Sequence, residues 1–286
     1  MSVSRRRRAT VRLGIVLAGV LLPAGMVEAQ TVAPPAAVQP ASPDSTRLFG
    51  GGDWVLVGSL LAAQVALFPL DDEIQGRVRQ MQSDATDDVA AFLQPLGHSG
   101  LWLAAAAAAL TAGQLASERR LADVGLHALA SLAAANIVTG GLKALTGRWR
   151  PRVSVVQDGQ TISLFHDSGH WHLLAGWRDG EQRRSYPSGH ATAAFAVASV
   201  LSEEFGGAIP WVAYPLATGV AWSRLNDDHH WATDVIMGGL IGILSGRLIV
   251  RLGRRRGGWL ERMVVLETAP YLGRVALGLR VGLSKP

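Results

Sequence analysis

The 286-residue sequence contains no cysteine, which excludes disulfides, thiolate metal ligands and a cysteine nucleophile. Charged residues are also few, at 17% of the chain, whereas apolar residues make up 49%. The mean hydropathy is positive. This composition favours a membrane protein, and a soluble all-helical protein is the alternative.

The first 29 residues have the pattern of a secretory signal peptide. Four arginines at positions 5–8 precede an apolar region from Leu13 to Val27, and residues 27–29 resemble a cleavage site. We expect cleavage after Ala29. An uncleaved membrane anchor is the alternative, and both interpretations predict an exported chain.

The basic charge of the chain is concentrated in this leader. The whole sequence has 27 basic and 22 acidic residues, and residues 1–29 contain five Arg and one Glu, so 22 basic and 21 acidic residues remain without them. A protein that binds nucleic acid would keep a basic stripe in its folded domain. The sequence therefore predicts no nucleic-acid partner.

Apolar runs of helix length organise the rest of the chain. Residues 30–53 are rich in Pro, Ala, Ser and Gly and predict a linker, and a folded domain is expected at 54–256. Six apolar stretches without strand-like alternation lie in that domain: 54–70, 99–117, 121–142, 190–205, 208–224 and 232–250. They predict an all-α bundle of five to six apolar helices embedded in a membrane. The tail, 257–286, alternates between Val264 and Leu283 and predicts a short β-hairpin.

Two polar clusters lie at ends of these helices, where burial of a charge without a partner is costly. Lys143 and Arg150 are seven residues apart, so on a helix that continues to Pro151 both cations point the same way. Residues 188–190, Ser-Gly-His, open an apolar helix with a hydroxyl, unhindered amides and an imidazole. Such a helix N-terminus suits an anion.

A third cluster joins Arg224 to His230 and Asp234. The last two residues are one helical turn apart, so the carboxylate can fix the tautomer of the imidazole and leave its other nitrogen free as a nucleophile. Each cluster alone also fits a structural role, such as a helix cap or contact with lipid headgroups. Together they supply what phosphoryl transfer needs: cations, an in-line nucleophile and an acid for the leaving group.

The three clusters resemble a known signature, position by position and in the same order. The matching residues are Lys143…Arg150-Pro151, Pro187-Ser188-Gly189-His190 and Ser223-Arg224…His230…Asp234. This is the pattern of the type-2 phosphatidic acid phosphatase superfamily, which also includes vanadium haloperoxidases and soluble bacterial acid phosphatases. The resemblance covers about residues 54–256.

The resemblance implies a role for each matching residue. His230 would attack phosphorus, Asp234 would orient it, and His190 would protonate the leaving oxygen. The phosphoryl oxygens would be bound by Lys143, Arg150, Ser188, Gly189 and Arg224. The implied chemistry needs no metal or other cofactor.

Four other histidines could be confused with site residues. His229 lacks the spacings to Arg224 and Asp234, so we expect it to support the site or begin a helix. The close spacing of histidines 166, 170 and 172 could hold a transition metal in the periplasm. We expect instead that their loop forms a lip over the site.

Arginines predict the orientation of the bundle. Arg119, Arg120 and the arginines of 247–256 lie at helix ends opposite the three motifs, and the positive-inside rule places them in the cytoplasm. The site would face the periplasm from a bacterial-type inner membrane; a soluble or peripheral periplasmic protein is the alternative. A cleaved signal peptide starts the chain outside, so an odd number of spans must precede the helix at 121–142. We therefore expect 54–70 to be interfacial.

The function expected from these residues is hydrolysis of a phosphomonoester or diphosphate through a phosphohistidine. A membrane-embedded site favours a lipid phosphate substrate of the phosphatidic acid or prenyl diphosphate type. The alternatives are a soluble periplasmic acid phosphatase, a vanadate-dependent haloperoxidase and a non-enzymatic membrane protein.

Overall fold

The computed structural model describes residues 48–157, 160–177, 180–255, 264–271 and 274–281. The signal peptide expected at 1–29 and residues 30–47 of the expected linker lie outside the described residues. Residues 51–53, also assigned to the linker, belong instead to the first helix, so the helical domain begins before Trp54. The chain divides into two compact units, Ser42–Gly257 and a second formed by Met1–Ala41 with Gly258–Pro286.

Helices make up most of the larger unit and confirm the predicted bundle. They are α1 (Gly51–Leu67), α2 (Asp71–Gln80), α3 (Asp84–Leu93), α4 (Ser99–Leu115), α5 (Arg119–Thr146), α6 (Gly189–Phe205), α7 (Ile209–Asn226) and α8 (Ala232–Arg255). Between α5 and α6, the antiparallel strands β1 (Arg152–Gln157) and β2 (Gln160–Phe165) form a hairpin that the sequence analysis did not predict.

In the second unit, β3 (Val264–Tyr271) pairs antiparallel with β4 (Arg274–Val281). The register joins Val264 to Val281 and Tyr271 to Arg274. The predicted C-terminal β-hairpin is confirmed.

Close contact between α6 and α8 aligns the ends of the helices that carry the motifs. A Cβ at Gly242 on α8 would lie 2.5 Å from the carbonyl oxygen of Thr192 on α6, and one at Gly246 would lie 2.6 Å from Cβ of Ser199. Only glycine fits such gaps, and small residues allow membrane helices to pack closely. The beginnings of α6 and α8 are therefore held side by side.

The helices also have the length and surface of membrane spans. Among the described residues, three segments are long and apolar enough to cross a bilayer: Gly51–Gln80, Arg119–Thr146 and Ala232–Arg255. Large apolar side chains on the outer surface of the bundle are 76–81% exposed: Val65, Ile137 and Trp211. Such exposure fits lipid better than water. The chain is a membrane protein.

The segment that begins with α1 contradicts the interfacial placement of 54–70. Near its start, Asp53 Oδ2 accepts a hydrogen bond from Arg251 at 2.6 Å, close to the end of α8. Just after its end, Asp71 Oδ1 accepts one from the backbone N–H of Thr233 at 3.0 Å, in the first turn of α8. The segment runs the length of a candidate span, which a helix lying flat on the membrane surface could not do.

Candidate active site

The eight predicted site residues lie at one end of the bundle, where α5 and α7 end and α6 and α8 begin. The second and third motifs are joined directly, because the backbone N–H of Ser188 donates to the carbonyl oxygen of Asp234 at 2.9 Å. The first motif lies beside them, since a Cβ at Gly189 would lie 3.9 Å from Cε of Lys143.

His230 is buried, with 3% of its surface exposed, in the loop before α8. Its Nδ1 lies 3.4 Å from Asp234 Oδ2 and 3.4 Å from Ser185 Oγ. The carboxylate favours the proton on Nδ1, so the lone pair is on Nε2. Burial lowers the pKa of His230 well below its ordinary value, and the positive charges of Lys143 and Arg150 also lower it. The ring is therefore neutral at pH 7, with an unprotonated Nε2.

Asp234 is fully buried and held through both oxygens. Its Oδ2 accepts hydrogen bonds from Ser185 Oγ at 2.5 Å and from the backbone N–H of Trp231 at 2.9 Å. Its Oδ1 accepts one from Arg148 Nη1 at 2.6 Å. Ser185 and Arg148 are thus parts of the site that the sequence analysis missed.

Each of the three predicted phosphate-binding cations has a protein partner in the structure. Lys143 Nζ donates to the carbonyl oxygen of Arg184 at 2.5 Å, and Arg150 Nη2 lies 3.0 Å from a carboxylate oxygen of Glu181. Arg224 forms an ion pair with Asp227. Of these cations, Lys143 and Arg150 lie near enough to His230 for their positive charges to act on its ring.

The backbone of the first motif differs from the predicted continuous helix. We expected α5 to continue to Pro151 and to place Lys143 and Arg150 two turns apart on one face. The helix ends instead at Thr146, because Gly147 adopts a left-handed conformation with φ of +56°. Residues 148–150 then leave the helix.

His190 lies in the first turn of α6, whose N-cap is Ser188. Its ring packs edge-on against His98, with centroids 4.7 Å apart, and against Gly97, where a Cβ would lie 2.5 Å from the ring. Nε2 is buried and has no hydrogen-bond partner in the described part of the chain. His98 and Gly97 were not singled out from the sequence.

The other histidines occupy different environments. Nδ1 of His229 is buried without a hydrogen-bond partner among the described residues, and burial lowers the pKa of its ring to about 4. His166 packs against Trp149, with centroids 4.4 Å apart, and His170 pairs with Asp167. Within the described residues, no group of three His, Cys, Asp or Glu side chains is placed to hold a metal ion.

In a comparison with known sequences, a family model matches slightly less than half of this chain. The PAP2 superfamily model matches residues 124–257, which include all eight predicted site residues. A curated relative, lipid A 1-phosphatase of Porphyromonas gingivalis, is 35% identical over 96 residues, which are 32% of this chain and 20% of the relative. The matched part therefore spans about a fifth of that protein's length.

Two solved structures are similar to the chain. The transmembrane PAP2-type phosphatidylglycerolphosphate phosphatase of Bacillus subtilis aligns with a TM-score of 0.50 and 19% identity, over 71% of this chain and 96% of that one. Aquifex aeolicus LpxE aligns with a TM-score of 0.45 and 21% identity, over 64% and 94%. The first alignment extends the likeness in fold beyond the residues that match the family model.

Proposed function

We propose that this protein hydrolyses a phosphate ester or diphosphate of a lipid through a phosphohistidine on His230, without a metal ion. The observation that carries this proposal is the buried pair of His230 and Asp234, which lies beside three cations and the free Nε2 of His190. A neutral imidazole oriented by a carboxylate is a competent nucleophile, and the cations complement the charge of a phosphoryl group.

The reaction has two steps. First, the lone pair on His230 Nε2 forms a bond to phosphorus, while the bond from phosphorus to the leaving oxygen breaks. That oxygen keeps the electron pair and takes a proton from Nε2 of His190. The ring takes up this proton together with the anionic substrate, because burial and the neighbouring cations disfavour a charged imidazole when no anion is bound. Water then attacks phosphorus and gives a proton to His190. The phosphorus–nitrogen bond breaks and inorganic phosphate leaves.

An apolar cavity beside His190 favours a lipid as the leaving group. The cavity, of about 180 Å³, begins at Ala194, one helical turn after His190, and follows α6 to Leu201. This is a length of roughly 10 Å at the rise of an α-helix. Trp102 of α4 and the side of α7 from Ile209 to Val220 form its other walls. An alkyl chain attached to the oxygen that His190 protonates fits this cavity, called the groove below. The name of the Porphyromonas relative also indicates a lipid substrate.

The first prediction is phosphate release in EDTA by the purified protein. We expect turnover of at least one lipid substrate among phosphatidic acid, a prenyl diphosphate and lipid A, and slower turnover of a soluble aryl phosphate. Preference for the aryl phosphate would favour a soluble-type acid phosphatase. Loss of turnover in EDTA that a divalent ion restores would reject the metal-free mechanism.

The same assay tests the groove with a matched pair of alanine variants. Ala213 lines the groove on α7, and Ala105 is exposed on α4 away from it. Ala213→Trp fills the groove and should lower kcat/KM for a long-chain substrate about tenfold, the scale of losing one or two methylene contacts. It should leave the aryl phosphate unaffected. Ala105→Trp should change neither rate, and equal effects of Ala213→Trp on both substrates would reject the groove.

We also propose that the site faces the periplasm. The end of the bundle opposite the site carries Arg247, Arg251 and Arg254, and the positive-inside rule places such an end in the cytoplasm. Both α1 and α4 run between the two ends: α4 begins beside His98 at the site and reaches Gly113, which packs on the start of α5.

The second prediction tests this orientation with reporter fusions. A reporter that is active only in the periplasm should be active after Gly169, in the loop near the site, and inactive after Gly50 and after Ser117. The latter two positions lie at the opposite end of the bundle, so fusions at both should give the same reporter activity. Activity after Ser117 and none after Gly169 would reverse the orientation.

A further inference from the structure

Arg148 lies at the centre of a buried hydrogen-bond network next to the site. Its side chain has no exposed surface. Nη1 donates to Asp234 Oδ1 at 2.6 Å and to Thr233 Oγ1 at 2.8 Å, Nη2 donates to Asp71 Oδ2 at 2.7 Å, and Nε donates to the carbonyl oxygen of Ser168 at 3.3 Å. All three nitrogens of the guanidinium are therefore used.

Aromatic rings fix the plane of this guanidinium as well. The centroids of Phe68, Trp171 and Trp231 lie 5.2, 4.8 and 5.4 Å from its central carbon. A buried cation with complete hydrogen bonds and aromatic neighbours has one preferred position, whereas one that lost a partner would be costly to keep buried.

Asp71 connects this network to α8 and to a second part of the chain. Besides Arg148, it accepts hydrogen bonds from the backbone N–H and the hydroxyl of Thr233. It begins α2, so it lies outside residues 124–257, which match the family model. The oxygen Oδ1 of Asp234 and the first turn of α8 are thus tied to the N-terminal helices.

We propose that Arg148 and Asp71 are positioning residues: Arg148 fixes Asp234 so that Oδ2 faces His230, and Asp71 balances the charge of Arg148. The inference rests on the proposed function for His230. Because Arg148 occupies Oδ1, one orientation of the carboxylate is favoured, and Oδ2 is left to His230, Ser185 and the backbone N–H of Trp231.

The charges in the cluster give Asp71 a second effect. Two carboxylates and one guanidinium leave one negative charge, which balances the positive charge that the His230 ring acquires when it is phosphorylated on Nε2 with a proton on Nδ1. If Asp71 were uncharged, the positive charge of Arg148 would cancel the negative charge of Asp234. The cluster would then carry no net charge next to the phosphorylated ring.

The charge balance predicts the order of kcat among three variants. Asp71→Asn should lower kcat about 10- to 100-fold with KM little changed, the usual scale for a group that supports a site residue. Arg148→Gln should lower kcat further than Asp71→Asn does, because it leaves two buried carboxylates without their cation. The double variant Asp71→Asn/Arg148→Gln restores the net charge of the cluster, so it should be more active than Arg148→Gln alone.

Glu73→Gln is the matched control, because it removes the same charge from the same helix. In the described part of the chain, the ion pair of Glu73 is with Arg77 at the surface, so kcat should stay at the wild-type value. Each variant should be compared in kcat, in KM and in the rate of phosphoenzyme formation by rapid quench. A scaffold role alone would lower the melting temperature of Asp71→Asn and Arg148→Gln and leave their kcat values intact, which would overturn the proposal.

A measurement that needs no turnover separates this inference from the proposed function. Nitrogen NMR of the ¹⁵N-histidine-labelled protein should show the Nδ1–H tautomer for His230 in the wild type and a mixture in Arg148→Gln. If Arg148→Gln does not fold, Arg148→Lys takes its place, since an ammonium cannot hold both carboxylates in this geometry. An unchanged tautomer would reject the positioning role even if no substrate is turned over. A shifted tautomer in a protein that hydrolyses none of the substrates would reject the proposed function alone.

Discussion

His230→Ala should abolish the covalent phosphoenzyme and reduce turnover by about 10⁴-fold or more, the scale seen when a nucleophile is removed. Asp234 and Ser185 both face Nδ1 of this ring, so its Nε2 is the nitrogen available to attack. The other two imidazoles near it, His190 and His229, each have a buried ring nitrogen without a hydrogen-bond partner among the described residues. The measurement is acid-quenched phosphoprotein together with phosphate release.

His229→Ala is the control for this experiment, because it removes an imidazole from the adjacent position. Burial holds the pKa of His229 at about 4, so the ring is neutral, and its Nδ1 has no hydrogen-bond partner among the described residues. The variant should keep substantial activity and still form the phosphoenzyme. If both variants are folded and lose activity to the same extent, the nucleophile is wrongly assigned.

The helices were predictable because their apolar runs are long. The expected stretches 190–205 and 232–250 agree closely with α6 and α8, since both helices are apolar around most of their surface. The β1–β2 hairpin was missed because it lies in a polar connection, and β2 is mostly exposed. Each strand has only two apolar residues on the shared face, Val153 and Val155 opposite Leu164 and Ile162. Such a short alternation does not stand out in the sequence.

The site was predictable only where its residues follow fixed spacings. Asp71 could not be found in this way, because it is the first of three consecutive acidic residues and only the fold decides which one is buried. The buried face of α2 includes Asp71 and Gln75, and Gln75 holds the loop before His230 through Asp228. A helix whose buried face is polar has the pattern of a solvated helix.

The signal peptide and the arginine-rich end of the bundle predict opposite orientations. If α1 and α4 both cross the membrane, residue 50 and the site lie on opposite sides. A cleaved signal peptide would place residue 50 outside and the site inside, whereas Arg247 and Arg251 favour the reverse. The sequence alone could not expose this conflict fully, because the contact of Asp53 with Arg251 is a property of the fold.

His190→Ala should lose activity in proportion to how much the leaving group needs a proton. A lipid alkoxide is a poor leaving group and needs the acid, so kcat for a lipid monoester should fall by about 10²- to 10⁴-fold, the usual contribution of general acid catalysis. An aryl phosphate releases a phenolate, which departs with little protonation, so its phosphorylation step should be much less affected.

The leaving-group dependence separates an acid from a residue that only binds phosphate. Arg224→Ala removes a cation near the phosphoryl group and should slow both substrates alike, since each transfers the same group. Rapid-quench rates of phosphoenzyme formation are the right measurement, because in the proposed mechanism His190 also accepts a proton from water in the later step with both substrates. If His190→Ala slows this first step equally for the lipid and the aryl phosphate, its unpartnered Nε2 does not protonate the leaving oxygen.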